Sequence, residues 1–313
     1  MKSCPTERFS TYSIVARDAE TGQLGVAVQT HQMGVGRVVP WLLPGMGAVA
    51  TQAMCNVSFG PLGLAMLRQG VPAPRVVEAL AASDAEAHKR QVAVVDAQGR
   101  AAAWTGDNCI PEAGHQVGDG YSVQANMMTR DTVVGAMAAA YEAAEGDLAA
   151  RLMAALQAAQ GEGGDIRGMQ SAALKVVPGD AQSPAWMAVY DLRVDEHQDP
   201  VTELARLVRL RNAQLLDQRG HEALEQGQRE QALELWAQAR DRAPELEEMA
   251  FWQAVTLADK QDDVPAAAAI LRPVLADDPR RAHWIDLLGR LQTCGLTERP
   301  GSADELIAAL GPG

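Results

Sequence analysis

Two amide side chains interrupt a stretch of sequence that is otherwise typical of a buried β-strand. The predicted strand begins at Tyr121, and the alternation of side chains along it places Gln124 and Asn126 on one face. Buried amides must find hydrogen-bond partners, so two of them on one face of an apolar strand are unusual. The pair predicts either a substrate-binding face or a tie between loops.

A thiol and an imidazole form a second candidate pair, and charged residues form a third group. Cys109 and His115 lie in one Gly- and Pro-containing loop, where a thiolate beside a histidine would be a nucleophile, although their spacing lends this no support. For the charged residues at strand ends we expect structural salt bridges rather than chemistry. They are Arg17, Asp18, Asp191, Arg193 and Asp195.

The common signatures of cofactor and metal sites are absent. There is no GxGxxG after a strand, no Walker A loop, no GxSxG elbow and no HExxH. The 6 histidines show no i, i+4 pairing, and the 4 cysteines form no CxxC. We therefore expect no metal ion and no cofactor, and free thiols in a reducing cytoplasm.

The first half of the chain combines short β-rich runs with helices. Thr11–Arg17 and Leu24–Thr30 flank a turn that contains Asp and Gly, which predicts a β-hairpin. The order of elements lacks regular βαβ alternation, so an α+β fold with helices layered on sheets is expected. Further strands are predicted at 47–52, 91–96, 101–105, 121–124, 170–177 and 185–192, and helices at 61–69, 73–82, 131–144 (capped by Asp131) and 147–159.

The composition changes abruptly at the acidic segment Asp195–Pro200, after which Gly is sparse and Ala, Leu, Glu, Gln and Arg dominate. This predicts two domains, residues 1–198 and 199–313. The second resembles a tetratricopeptide array, an all-α stack of helix pairs of about 34 residues each, and a plain helical bundle is the alternative. The pattern is carried by Gly220, Ala232, Trp236, Ala239 and Pro244, and again by Ala267, Leu271, Val274 and Pro279.

The first domain carries a series of spaced motifs that resemble one known family. They include Thr11–Asp18, Leu24–His31, 39–41, 47–52, 59–63, 95–99, 113–115, 124–126, 170–174 and 191–195. Over roughly Thr11 to Leu204 the chain is similar to the family catalogued as domain of unknown function 1028. That family is placed among the N-terminal nucleophile (Ntn) hydrolase-like folds, and it carries no settled reaction.

The resemblance implies a four-layer αββα sandwich in which an N-terminal Thr, Ser or Cys is the nucleophile and its own α-amine is the general base. Thr11 holds the matching position here. Residues 1–10 precede it, so either the Ser10–Thr11 bond is cleaved or the Thr11 nitrogen is an amide and cannot act as a base. The alternative is that Thr11 is simply a β-branched residue at the start of a strand.

Strand pairing and the resemblance predict the surroundings of Thr11. A turn centred on Glu20 and Thr21 sets Thr11 opposite Thr30, whereas a slip of one residue presents Gln29 and His31 instead. His31 would then move a proton or orient a substrate. By the resemblance, oxyanion donors follow the strand that leads into the first helix. The matching residues are Gln52, the backbone around Ala53, and Asn56, which could equally cap a turn.

Composition narrows the classes of function. The chain is globular in composition, with 47% hydrophobic and 21% charged residues, and its net charge is -13. This argues against a general binder of nucleic acid or anionic membranes, and no run is long enough to span a bilayer. The N-terminus has no apolar signal region, so we expect a cytoplasmic protein.

Three functions remain as hypotheses. The first is an amidohydrolase that cleaves a small amide, ureido or peptide bond. The second is a non-catalytic Ntn-like module that binds a small molecule or peptide, with helical repeats that recruit a protein partner. The third is a scaffold that mainly builds an oligomer, and in each case self-association as a homo-oligomer is expected.

Overall fold

A computed structural model describes residues 7–9, 11–276 and 278–311. The chain divides into two compact units, of which the first ends at Val208 and the second begins at Arg209. This division lies inside helix α5 (Pro200–Glu225), whose first residue ends the acidic segment where the composition changes.

The first sheet of the first unit is antiparallel and has five strands. Their order is β1-β5-β6-β7, and β4 pairs with β5 as well. Strand β6 pairs with one edge of β5, and β4 and β1 pair with different parts of the other edge. The strands are β1 (Glu7–Phe9), β4 (Pro40–Leu43), β5 (Gly47–Cys55), β6 (Arg90–Asp96) and β7 (Ala101–Thr105).

The second sheet is also antiparallel, with the order β11-β10-β3-β2-β9-β8. The predicted hairpin of β2 and β3 is confirmed, and its register sets Thr11 opposite Thr30. The second register, which would have set Gln29 and His31 beside Thr11, is wrong. The strands are β2 (Thr11–Arg17), β3 (Leu24–Thr30), β8 (Gly114–Gly118), β9 (Tyr121–Asn126), β10 (Ser171–Val177) and β11 (Tyr190–Val194).

The two sheets face each other, and each carries a pair of helices on its other side. Helices α1 (Phe59–Arg68) and α2 (Ala73–Ala82) contact the first sheet, while α3 (Val133–Ala143) and α4 (Leu148–Gly161) contact the second. Strand β2 contacts β5 and β6 across the interface. Buried side chains such as Val15, Val28, Ala50 and Ala93 fill much of it, so the expected α+β class is confirmed for this unit.

Several local predictions differ from the structure. The last strand begins at Tyr190, because the preceding segment, with Trp186 80% exposed, lies outside the sheet. Helix α3 begins after Thr132 and has no side-chain cap, so the prediction that Asp131 caps it is wrong. Strands β1, β4 and β8 were not predicted, because they are short and their residues show no apolar alternation.

The described residues of the second unit form helices joined by turns. They comprise the end of α5, α6 (Arg229–Arg242), α7 (Glu247–Lys260), α8 (Val264–Leu275), α9 (Arg281–Thr293) and α10 (Ser302–Leu310). Trp236 is fully buried and approaches Gly220 so closely that a Cβ atom there would lie 2.4 Å from its Cδ1. The predicted helical C-terminal region is confirmed. None of the helices in the described part of the chain is both long and apolar enough to cross a membrane.

Candidate functional site

A chain of buried polar side chains connects the two sheets of the first unit. Ser13 in β2 donates from Oγ to Oε1 of Gln52 in β5 at 2.6 Å. Gln124 in β9 donates from Nε2 to the same Ser13 hydroxyl at 2.5 Å and accepts from Ser122 at 3.0 Å. All four residues have no exposed surface. We call this set, with Gln91 and Asn126, the inter-sheet polar cluster.

Gln91 in β6 is the central member of the inter-sheet polar cluster. Its Oε1 accepts from Nε2 of Gln52 at 2.7 Å and from Nδ2 of Asn126 at 3.0 Å. Its Nε2 donates to the backbone oxygen of Ala125 at 2.9 Å and to Thr105 Oγ1 at 2.8 Å. One side chain therefore satisfies groups on both sheets, as buried amides require.

The cluster extends to the surface through His115. Nδ1 of this residue lies 2.8 Å from Thr105 Oγ1, which already accepts from Gln91. Loss of hydration lowers the pKa of His115 below its usual value, which favours the neutral ring with a lone pair free to accept the Thr105 proton. His115 also lines a surface cavity of about 360 Å³ together with Arg130 and Asp131.

Thr11 lies at one end of the cluster. It is fully buried on the inward face of β2, between Thr30 of β3 and Asn126 of β9. Its carbonyl oxygen accepts from Gln52 Nε2 at 3.3 Å and from Asn126 Nδ2 at 3.4 Å. Its hydroxyl Oγ1 has no hydrogen-bond partner among the described residues. A buried hydroxyl without a partner is rare, because it loses water and gains nothing.

The chain reaches Thr11 from the opposite sheet. Strand β1 pairs antiparallel with the end of β5, with Glu7 opposite Cys55 and Phe9 opposite Ala53. Two residues after Phe9, Thr11 begins β2 in the second sheet. Strand β1 thus belongs to the first sheet and the nucleophile candidate to the second.

Gln29 and His31, the candidates from the alternative register, do not share the face of Thr11. Gln29 is opposite Tyr12, so it points toward the helices α3 and α4. It is fully buried, and neither of its amide atoms has a partner among the described residues. His31 is exposed, follows the end of β3, and places Nδ1 3.2 Å from the Met169 carbonyl oxygen.

Tyr12, on the helix-facing side of β2, has a hydroxyl bonded to Gln160 Oε1 of α4 at 3.0 Å. Its pKa is raised, mainly by burial and further by the carboxylates of Asp165 and Asp199. The Asp165 carboxylate accepts from the His31 amide at 3.1 Å and pairs with Arg167 at 2.8 Å. These contacts hold His31 on the rim of the sheet rather than over the inter-sheet polar cluster.

Asn56 occupies a turn rather than the cluster. Its Nδ2 donates to Asp84 at 2.9 Å and its Oδ1 accepts from the Ser58 amide at 3.2 Å, which is the capping role considered as the alternative. Burial opposes ionisation of Asp84, but the bonds from Asn56, the Glu86 amide and Arg90 hold its pKa below the ordinary value. The structure therefore separates Asn56 from Gln52, with which it was grouped as an oxyanion donor.

The other candidates are also accounted for by structure. The Cys109 thiol donates to the Arg90 carbonyl at 3.4 Å, and burial raises its pKa, so it is poorly suited to act as a thiolate. Among the described residues no group of three or more His, Cys, Asp or Glu could hold a metal ion. Four of the five charged residues form ion pairs as expected, namely Asp18 with Arg151, Asp191 with Lys175, and Arg193 with Asp195. The expectation is not confirmed for Arg17, whose buried Nε has no hydrogen-bond partner among the described residues.

Ser13, Gln91 and Ser122 belong to the cluster but were not predicted. Ser122 alternates with Gln124 and Asn126 along β9, and Ser13 and Gln91 are buried polar residues next to apolar ones in β2 and β6. The pairing of Gln52 with Gln91 and of Ser13 with Gln124 then brings them together across strands. Applied to every strand, the search for isolated polar residues would have found them.

The first unit is thus an α+β protein with two facing antiparallel sheets and a buried polar cluster between them. A family model described as "Family of unknown function (DUF1028)" matches residues 11–204. The chain belongs to this family. A crystal structure of a protein from Silicibacter pomeroyi, titled with the same family, is 32% identical. It matches with a TM-score of 0.58 and covers 64% of this chain and 88% of that one. No curated protein matches the chain.

Proposed function

We propose that the first unit is an Ntn-type amidohydrolase with the four-layer αββα sandwich of that superfamily, and that Thr11 is its nucleophile. Its substrate is a small amide, ureido or peptide bond. The protein is latent while residues 1–10 are attached, because the Thr11 nitrogen is then an amide without basicity. The facing sheets with a helix pair on each outer side support this fold.

The observation that carries the proposal is the hydroxyl of Thr11. It is fully buried at the start of β2 and has no partner in the part of the chain that the structure describes, although amide donors from Gln52 and Asn126 reach the carbonyl of the same residue. An unpaired buried hydroxyl has an unfavourable free energy, so structural needs alone would favour valine at this position. The threonine at this position is explained if its hydroxyl is a nucleophile whose base and substrate are not yet in place.

The chemistry follows from the neighbours of this hydroxyl. A free α-amine has a pKa of about 7.7–8.0, so at neutral pH a useful fraction is unprotonated and can accept the hydroxyl proton. Thr11 Oγ1 then attacks the substrate carbonyl, the C–N bond breaks, and the protonated α-amine gives its proton to the leaving amine. Water, with the α-amine again as the base, hydrolyses the resulting ester and restores the Thr11 hydroxyl. Gln52 and Asn126 carry the nearest amide donors, and each would exchange its bond to the Thr11 carbonyl for one to the oxyanion. In this proposal Asn56 remains a turn residue and is not an oxyanion donor, and His31 takes no part in proton transfer.

Two preparations of the protein test the proposal. The first is the full chain, and the second begins at Thr11, which a cleavable N-terminal fusion releases with a free amine. Both are assayed against a panel of aminoacyl and N-acyl p-nitroanilides, with intact mass recorded before and after. We expect turnover only from chains that begin at Thr11. Thr11→Ala in that background should be folded and inactive, and loss of one oxyanion donor should cost about 10²–10³ in rate.

Activity from a full chain that still carries Met1 would exclude the Thr11 amine as the base. Turnover by Thr11→Ala would exclude its hydroxyl as the nucleophile. Thr11→Ser is the matched control, because it keeps the hydroxyl and should retain part of the rate.

The alternative is a non-catalytic Ntn-like module whose helical repeats bind a protein partner. It is favoured by the amides of Gln52, Gln91 and Asn126, which are already engaged in internal hydrogen bonds. The second unit also has a groove of about 690 Å³ along α6, α7 and α8, lined by Arg240, Leu246, Ala250, Ile270 and Val274. Stacked tetratricopeptide-like helix pairs form grooves of this kind, which accept a peptide or a neighbouring subunit.

Removal of residues 200–313 tests this alternative. Light scattering and co-purification should then show loss of a partner or a smaller homo-oligomer, while circular dichroism shows that the first unit is folded. A truncated protein that keeps every interaction of the full chain would contradict it.

A further inference from the structure

The outer edge of β5 is divided between two short strands. Strand β4 pairs with the first half, from Gly47 to Ala50, and β1 pairs with the last three residues, from Ala53 to Cys55. Strand β6 pairs with the other edge from Gly47 to Ala53. Without β1, the backbone of residues 53–55 would lose the strand it pairs with, and an unpaired strand edge is a template for another chain.

Strand β1, which pairs with this edge of β5, is short. It contributes only Glu7, Arg8 and Phe9 to the first sheet, and its pairing partner in that sheet is β5. A three-residue strand forms few backbone hydrogen bonds, each with a modest net contribution to stability. Such a strand can be exchanged for another of the same direction, because backbone pairing depends little on side-chain identity.

The position of β1 relative to Thr11 connects this edge of β5 to the candidate nucleophile. The residue after Phe9 is bonded through its carbonyl to the Thr11 nitrogen. A separate peptide that follows the same path would extend one residue beyond its paired segment. The carbonyl group of that residue would then lie next to Thr11. That carbonyl would lie close to Oγ1, the buried hydroxyl that has no partner within residues 7–9, 11–276 and 278–311.

We propose that residues 53–55 of β5 form a peptide-binding edge, that β1 occupies it in the intact chain, and that an extended peptide adds to it as an antiparallel strand once β1 is absent. The chemical class of ligand is the acyl side of a peptide. Only its role as a substrate rests on the proposed function. The binding of a peptide to this edge does not depend on catalysis.

The test uses the peptide of residues 1–10 of this chain, with Cys4→Ser to prevent oxidation and a fluorescent label, measured by fluorescence anisotropy. The proteins are the full chain, the full chain with Arg8→Pro, and the chain that begins at Thr11. Proline removes the amide hydrogen and restricts φ, so it weakens the pairing of β1 within the full-length protein. Circular dichroism establishes that each protein is folded.

We expect the peptide to bind the Arg8→Pro chain and the chain that begins at Thr11, and not the unaltered full chain. A control peptide with Arg8→Pro should bind about tenfold more weakly, because it cannot form the central pairing. Hydrogen exchange at residues 53–55 should be fast in the Arg8→Pro chain and slow again when the peptide is added.

Equal binding of both peptides, binding to the unaltered full chain, or no binding to either folded variant would overturn the proposal. Its outcome is separable from that of the proposed function. Binding without any hydrolysis would support the peptide edge and count against the amidohydrolase. Hydrolysis of small amides without peptide binding would support the amidohydrolase and count against the peptide-binding edge.

Discussion

Ser13 Oγ in β2 donates to Gln52 Oε1 in β5 at 2.6 Å, and this bond joins the two sheets at a point that has no exposed surface. The same hydroxyl accepts from Gln124 Nε2 at 2.5 Å. One small side chain thus satisfies two larger amides from different sheets. Ser13 and Thr11 lie two residues apart on the same face of β2. The Ser13 hydroxyl both donates and accepts, whereas the Thr11 hydroxyl has no partner among the residues that the structure describes.

Ser13→Ala should destabilise the first unit by about 1–3 kcal/mol, because it leaves a buried acceptor on Gln52 and a buried donor on Gln124. Urea unfolding followed by hydrogen exchange of β2, β5 and β9 measures the effect within this unit. Ser58→Ala is the matched control, since Ser58 precedes α1 without a side-chain capping bond, and it should change little. Equal effects of the two substitutions would contradict the role given to Ser13.

Thr11→Val should leave stability unchanged or raise it by up to about 1 kcal/mol, because a methyl group replaces a buried hydroxyl that has no partner in the described part of the chain. In the chain that begins at Thr11 the same substitution should abolish turnover. The comparison of unfolding midpoint and rate in one variant separates a catalytic residue from a structural one. A clear loss of stability would show that the hydroxyl has a structural partner.

Gly220→Ala should destabilise the second unit by about 1–3 kcal/mol, because the added Cβ would lie 2.4 Å from Trp236 Cδ1 and must displace a buried ring. Gly289→Ala in α9 is the control, since no heavy atom lies within 4 Å of its Cβ position. It should stabilise that helix by up to about 1 kcal/mol. Thermal unfolding monitored by helical circular dichroism distinguishes the two, and an unshifted midpoint for Gly220→Ala would contradict the close packing.

Asp259→Asn should destabilise the second unit at neutral pH and have a smaller effect in acid. Although burial opposes ionisation, bonds from the Glu298 and Arg299 amides and the Ser302 hydroxyl hold the pKa of Asp259 below its ordinary value. A folded pKa below the unfolded value of about 3.9 stabilises the protein above that pH, and this contribution is lost as pH falls through the folded pKa.

Urea unfolding at pH 7 and pH 3 measures this dependence, with about 1.5–3 kcal/mol expected at pH 7 for bonds to a charged group. Asp286→Asn is the control, because the Asp286 side chain is 59% exposed and pairs with Arg290, one turn further along the same helix. It should change stability by less than about 0.5 kcal/mol. A pH-independent effect of Asp259→Asn would contradict the depressed pKa.

The sequence by itself determined the elements whose patterns are local. The hairpin of β2 and β3, the hairpin of β6 and β7, and helices α2 and α4 lie close to their predicted bounds. Asp147 caps α4 by accepting from the Ala150 amide at 2.8 Å, at the residue where that helix was predicted to begin. Turn residues, proline at helix starts and apolar periodicity act over a few residues, so they can be identified without the fold.

The partners of the polar residues were decided by the tertiary structure alone. Gln124 and Asn126 were singled out by alternation, but their partners come from strands distant in sequence. Strand pairing within one sheet brings Ser13 to Gln124, and the packing of the two sheets brings Gln91 to Asn126. Likewise, the sequence grouped Asn56 with Gln52, whereas the turn before α1 directs Asn56 to Asp84. Hydrogen bonds between sheets depend on register and on the relative placement of layers, which no local pattern specifies.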